Sequence, residues 1–207
     1  MTFIEKMKMQ AKQDIKTIVL PESKDIRTLE ATEIVLKEGF ANIILIGNPQ
    51  EINELAEKNN INLNGAQIVN PATSADFSKY ANDLYELRKN KGMTLDQAKE
   101  LLKTNSRYFA TMMVKEGDAD GFVSGASHPT SDTLRPALQI LKAAPGTKLV
   151  SAFFVMVLPD KEFGDDGVFI FDISSYYKLS TILGNNMYGE NREDVAYMWQ
   201  NYFDSEE

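Results

Sequence analysis

Three short apolar runs, each cut off at a proline, constrain this chain more than any other feature. TIVL (17–20) stops at Pro21, ANIILIGN (41–48) at Gly47 and Pro49, and AQIVN (66–70) at Pro71. Such runs suit strands covered on both faces, as in a parallel sheet. Helical material lies between and after them. SKDIRTLEATEIVLKEGF is rich in helix formers and ends at Gly39. ADFSKYANDLYELRKNKG places Phe77, Tyr80, Leu84 and Leu87 at spacings of three and four before Gly92. TLDQAKELLK opens on Thr94 with Gln97 three residues on, a capping-box pattern. RYFATMMVKEG reads as a further helix in which Met112 and Met113 fill core. ADGFVSG is a fourth strand, DTLRPALQILKAA a helix, and KLVSAFFVMVLP (148–159) a fifth strand too apolar for an exposed edge. The charged, amphipathic opening MTFIEKMKMQAKQDIK reads as a first helix and not a signal peptide. This order predicts an α/β fold: a doubly wound, mostly parallel sheet with helices on both faces.

Composition narrows the function. With 207 residues, 43% of them hydrophobic, the chain can bury a sizeable core in one large domain or two small ones. A net charge of -8 argues against nucleic acid and anionic membranes as partners, though not against a local basic site for a small anion. The sequence contains 0 cysteines, which excludes disulfides, thiolate metal sites and a cysteine nucleophile. No metal is expected, and a soluble cytoplasmic protein is the expectation.

The stretch SGASHPTSDTLRPAL (124–138) is where chemistry concentrates. Ligands of open α/β sheets sit beyond the carboxyl ends of the strands, and the strand ADGFVSG leads directly into it. Ser124, Ser127, Thr130, Ser131 and Thr133 offer hydroxyls, Gly121 and Gly125 loosen the backbone, and the next helix offers its first-turn amides. Arg135 adds a guanidinium able to fork onto two phosphate oxygens. An anion-holding loop and an ordinary hydroxyl-rich helix cap both fit these residues. Arg88, with Lys89 and Lys91, forms a small basic knot that either binds an anion or simply closes a helix. Glu22, just past the first strand, lies on the same edge, as a functional carboxylate or as a polar residue preparing the next helix. The single histidine, His128, has neither a nucleophile nor an orienting partner visible in the sequence, so a hydrogen-bond or ligand contact is its expected role.

Several phrases taken together resemble the phosphate acetyltransferase (phosphotransacetylase) family: TIVLPES, DIRTLEAT, ANIILIGN, LRKNKGMT, ATMMVKEGDADGFVSGASHPTSDTLRPALQI, and KLVSAFFVMVLPD followed by GVFIFD. They span about residues 15–172 in the family's order. The resemblance implies a cytoplasmic, metal-free homodimer of two α/β domains that moves an acetyl group between coenzyme A and inorganic phosphate. It implies that Arg88 contacts coenzyme A and that Arg135 works in the active cleft. The loop of Ser124, Gly125, Ser127, Thr130 and Ser131 is then the phosphate or acetyl-phosphate contact. It also implies that no histidine acts as the base.

The expected organisation is a first α/β domain over 1–147, the start of a second over 148–172, and a tail, 173–207, that matches nothing in the family pattern. The family's late serine–arginine–aspartate loop, whose aspartate takes the thiol proton, has no counterpart here, so weak or absent turnover is expected from this chain alone. The tail reads as an accidental end, a natural short variant or a chimeric join. Its EDVAYMWQNYF segment has the spacing of an amphipathic helix. Three other readings stay open: a non-catalytic module binding coenzyme A or acetyl phosphate, an enzyme preferring butyryl groups, and an interaction or remnant protein with no ligand.

Overall fold

The computed structural model describes residues 1–143, 153–162, 164 and 167–172. The chain divides into two compact units, residues 1–145 and 146–207. The unmatched tail, its EDVAYMWQNYF segment and the beginning of the predicted fifth strand lie outside the described residues.

In the first unit the elements run α1 (Phe3–Ala11), β1 (Lys16–Leu20), α2 (Ile26–Glu38), β2 (Ala41–Ile46), α3 (Pro49–Lys58), β3 (Gln67–Val69) and α4 (Phe77–Arg88). A 3-10 turn (Lys89–Lys91), α5 (Leu95–Thr104), α6 (Ser106–Glu116), β4 (Gly121–Phe122) and α7 (Thr130–Ile140) follow. The four strands form one sheet in the order β3-β2-β1-β4, every pair parallel. Helices cover both faces, as expected.

Why β2 is apolar throughout is visible in its packing. Ile43 and Leu45 face one core with Leu29 of α2 and Ile52 and Ala56 of α3. Ile44 and Ile46 face the other with Val19, Tyr80 and Leu84 of α4, Leu102 of α5, and Phe109 and Met112 of α6. Alternating side chains of one strand therefore enter two separate cores, so neither parity is free to be polar. Met112 and Met113 are core residues, 0% and 5% exposed.

Local signals set the element ends. Asp25 caps α2 by accepting from the Arg27 amide, and Gly39 ends the helix at φ 67°, a left-handed conformation that suits glycine. Thr94 and Gln97 form the capping box of α5. Helix α3 had no counterpart in the sequence reading. Asn48 caps it and Pro49 occupies its first turn, a start signal that is legible in retrospect.

In the second unit, β5 (Phe153–Val157) pairs antiparallel with β6 (Val168–Asp172) in a separate two-stranded sheet. This corrects the expectation that the fifth run is too apolar to be exposed. Phe154 is 56% exposed and Met156 42%, because the only neighbour of β5 among the described residues is β6.

Candidate anion site at the sheet's switch point

Topology puts the candidate site in one place. From β1 the chain crosses to β2 on one side; from β3 it returns to β4 on the other side of β1. The crevice between the carboxyl ends of β1 and β4 is thus the switch point of the sheet, where open α/β folds bind ligands. Pro21-Glu22-Ser23 leaves β1 there, and residues 123–129 leave β4.

The two segments are bound to each other by Glu22. Its carboxylate accepts hydrogen bonds from the amides of Gly125 (2.6 Å), Ala126 (2.8 Å) and Ser127 (3.1 Å), and from the Ser127 hydroxyl (3.1 Å). It also lies 2.6 Å from His128 Nδ1. Gly125 adopts φ 115°, a backbone conformation that L side chains rarely adopt, and this lets consecutive amides turn toward one carboxylate. Arg27, paired with Asp25, donates to the Ala126 carbonyl and steadies the same loop.

Burial alone would push the Glu22 carboxyl up. The hydrogen bonds from His128 and from the amides of Ala126, Ser127 and Gly125 outweigh it and bring it down to about 2. A carboxyl lowered on folding stabilises the fold above its unfolded pKa of about 4.3 and loses that contribution as the pH falls through the folded value. Wild type is therefore expected to lose stability relative to Glu22→Gln as the pH drops from about 4.3 to about 2. Urea melts across that window check it; a constant difference between the two proteins would contradict it.

The two arginines come from two other elements, Arg88 from α4 and Arg135 from α7. Tyr80, in the first turn of α4, donates to Asp118 just beyond α6, and Lys79 pairs with Glu116 at 3.1 Å. Helix α4 therefore starts where α6 ends, and the charge of Arg88 at its other end is felt by Tyr108 near the start of α6. Tyr108 stands in that first turn, 7% exposed, and its hydroxyl donates to Gln139 Oε1 of α7 at 2.8 Å. Burial raises the Tyr108 phenol, while the charges of Arg135 and Arg88 both oppose that rise and Asp132 adds to it. Arg88 from α4 and Arg135 from α7 thus act on one hydroxyl of α6.

Neither guanidinium has a carboxylate partner among the described residues. Arg88 Nε is buried and unpartnered, as are the hydroxyl oxygens of Ser124 and Thr133. Buried polar groups are otherwise almost always paired, so these orphaned atoms are candidate ligand contacts.

The loop residues separate into two sets. Gly125 and Ser127 are turned to Glu22, so their amides and the Ser127 hydroxyl serve an internal anion. Ser124 carries a free buried hydroxyl. Thr130 and Ser131 open α7, both exposed, with Ser131 Oγ only 3.5 Å from Asp132 Oδ1. His128 does have an orienting partner, Glu22, which lies 106 positions away in the chain. Arg107 escaped the sequence reading altogether. It is 8% exposed beside Tyr108, with an unpartnered Nε. The signal for it was a charged residue inside the apolar RYFATMMV run. A cavity of about 440 Å³ beside β3, lined by Gln67, Asp76 and Tyr80 among others, includes none of the predicted site residues.

Comparison with known proteins agrees with this architecture. A family model described as phosphate acetyl/butaryl transferase matches residues 2–173. The chain is 55% identical over 171 residues to the phosphate acetyltransferase of Thermoanaerobacterium thermosaccharolyticum, covering 83% of this chain and 51% of the relative. It is 53% identical to that of Acetivibrio thermocellus over 171 residues, with the same coverage of 83% and 51%. Two solved phosphotransacetylase structures are similar. The one from Staphylococcus aureus has a TM-score of 0.69 and 36% identity, covering 81% of this chain and 48% of that one. The one from Streptococcus pyogenes has 0.71 and 34%, covering 81% and 50%. The chain spans about half the length of the curated relatives it matches. A family match from residue 2 to residue 173, with 55% identity over 171 residues to one curated phosphate acetyltransferase, makes the chain a member of the phosphate acetyl/butaryl transferase family.

Proposed function

We propose that this chain carries part of the site that transfers an acetyl group between coenzyme A and inorganic phosphate. Both substrates are multiply charged anions, and the observation that carries the reading is that two guanidiniums without carboxylate partners among the described residues, Arg88 and Arg135, both lie close enough for their charges to act on the Tyr108 phenol. Arg88 is assigned to the nucleotide end of coenzyme A. Arg135 is assigned to the reacting phosphate, where a fixed positive charge stabilises the oxyanion that develops when a thiol attacks the acyl carbon. Ser124 and Thr133 are assigned as hydroxyl donors to the same phosphate, since their oxygens have no other partner.

Transfer also requires that the thiol lose its proton. Glu22, the carboxylate nearest the loop, accepts hydrogen bonds from three amides and a hydroxyl and faces His128, so it is not free for that task. Slow turnover is therefore expected. Formation of acetyl-coenzyme A from acetyl phosphate by the 207-residue protein measures it directly. The signal is expected to fall at least about tenfold in Arg135→Ala, the scale of one lost charge-assisted hydrogen bond. A rate that ignores this substitution would contradict the assignment.

A further inference from the structure

We propose that Tyr108 is a positioning residue for Arg135: its hydrogen bond to Gln139 fixes the turn of α7 that presents the guanidinium. The inference rests on the proposed function and deepens it, because it names a residue that serves the site through another side chain.

Helix α7 is weakly held at its own start. Its N-cap, Pro129, makes no side-chain hydrogen bond, whereas α2, α3, α5 and α6 are each capped by a side chain that accepts from an early amide. Pro136 lies inside the helix and has no N–H, so the carbonyl of Asp132, four residues back, loses its helical donor. Thr130–Arg135 is therefore a helical start that lacks both a side-chain cap and one rung of its ladder. Arg135 ends that stretch, is exposed, and has no carboxylate partner among the described residues. Its placement has to come from what α7 packs on.

Two kinds of contact supply it. Pro136 and Ile140 are buried and turn one side of α7 inward. Apolar burial is non-directional, so it leaves the helix some freedom to rotate about its axis. A hydrogen bond depends on angle as well as distance and removes that freedom. Tyr108, 7% exposed in the first turn of α6, makes the bond by donating to Gln139 Oε1 at 2.8 Å. Gln139 stands four residues after Arg135, one turn further along the same side of the helix. Asp132, Arg135 and Gln139 follow one another at spacings of three and four, and the charges of Asp132 and Arg135 both act on the Tyr108 phenol. One stripe of α7 thus faces this hydroxyl, and the bond at Gln139 sets the rotation of the whole stripe, Arg135 included.

The test is a set of double-mutant cycles read by calorimetric titration of the 207-residue protein with coenzyme A. Tyr108→Phe removes the hydroxyl and keeps the ring. It is expected to weaken coenzyme A binding about three- to tenfold in wild type and by the same factor in an Arg88→Ala background. In an Arg135→Ala background it is expected to change nothing, since there is no guanidinium left to misplace. Gln139→Ala, which removes the acceptor, is expected to reproduce the loss, and the pair of substitutions to cost no more than either alone. A hydroxyl that only stabilised the fold would lower the melting temperature and weaken binding equally in all three backgrounds. That result, or an affinity unmoved by Tyr108→Phe, overturns this inference alone. Failure of the wild-type protein to bind coenzyme A overturns the proposed function and this inference with it.

Discussion

Replacing Arg88 and Arg135 together by alanine is expected to weaken coenzyme A binding by about a hundredfold or more, with no loss of thermal stability. Each guanidinium is assigned at least one charge-assisted hydrogen bond to a phosphate, worth about 1.5–3 kcal/mol and thus roughly tenfold or more in affinity. Stability behaves differently. Neither side chain has an ion pair to lose among the described residues, and Arg88 keeps a buried Nε without a partner. Removing an unpaired charge does not destabilise a fold in the way that breaking a buried pair does. Calorimetry and thermal melts on the double variant read both quantities. Structural arginines would show the reverse: an unchanged dissociation constant and a lowered melting temperature.

The second large effect lies in the core. Phe109→Ala is expected to cost about 3–5 kcal/mol, the range for truncating a fully buried aromatic. Phe109 is 0% exposed and meets Tyr80 edge-on, with ring centroids 5.2 Å apart and planes at 65°. That contact joins α4 to α6, and Tyr80 closes the same junction by donating to Asp118. The substitution thus loosens the two helices that bring Arg88 to Tyr108, and coenzyme A affinity should fall along with stability. Chemical denaturation measures the first effect. A cost below about 1 kcal/mol would mean that the junction is not packed as described.

Much of this fold could be read from local chemistry. The proline-terminated runs are the strands β1, β2 and β3, Gly39 does end α2, and the Thr94–Gln97 pair caps α5. These features depend on residues within a few positions of each other. Features that depend on distant partners were less accessible. The reading that the run through β5 is too apolar for exposure assumed a covering layer, and among the described residues that strand has only β6 beside it. Strand β4 is two residues, shorter than ADGFVSG implied, because the chain turns toward Glu22 immediately after pairing with β1.

The site divides along the same line. Arg88 and Arg135 announce themselves by residue type in an acidic chain. The loop's amides, taken at face value, look ready for a ligand anion. Only the neighbourhood of β1 and β4, set by the order of the sheet, brings Glu22 to them from 103 residues away in the chain and gives His128 its partner. Arg107 was hidden by its setting, since a helix of RYFATMMV type reads as core and its arginine as an incidental charge.

The convergence of Arg88 and Arg135 on one ligand can be observed most directly by following their Nε–H resonances in nitrogen-15 spectra of the 207-residue protein during a coenzyme A titration. Both resonances are expected to move along a single binding curve with one midpoint. Movement of only one, or two curves with separate midpoints, would contradict the account.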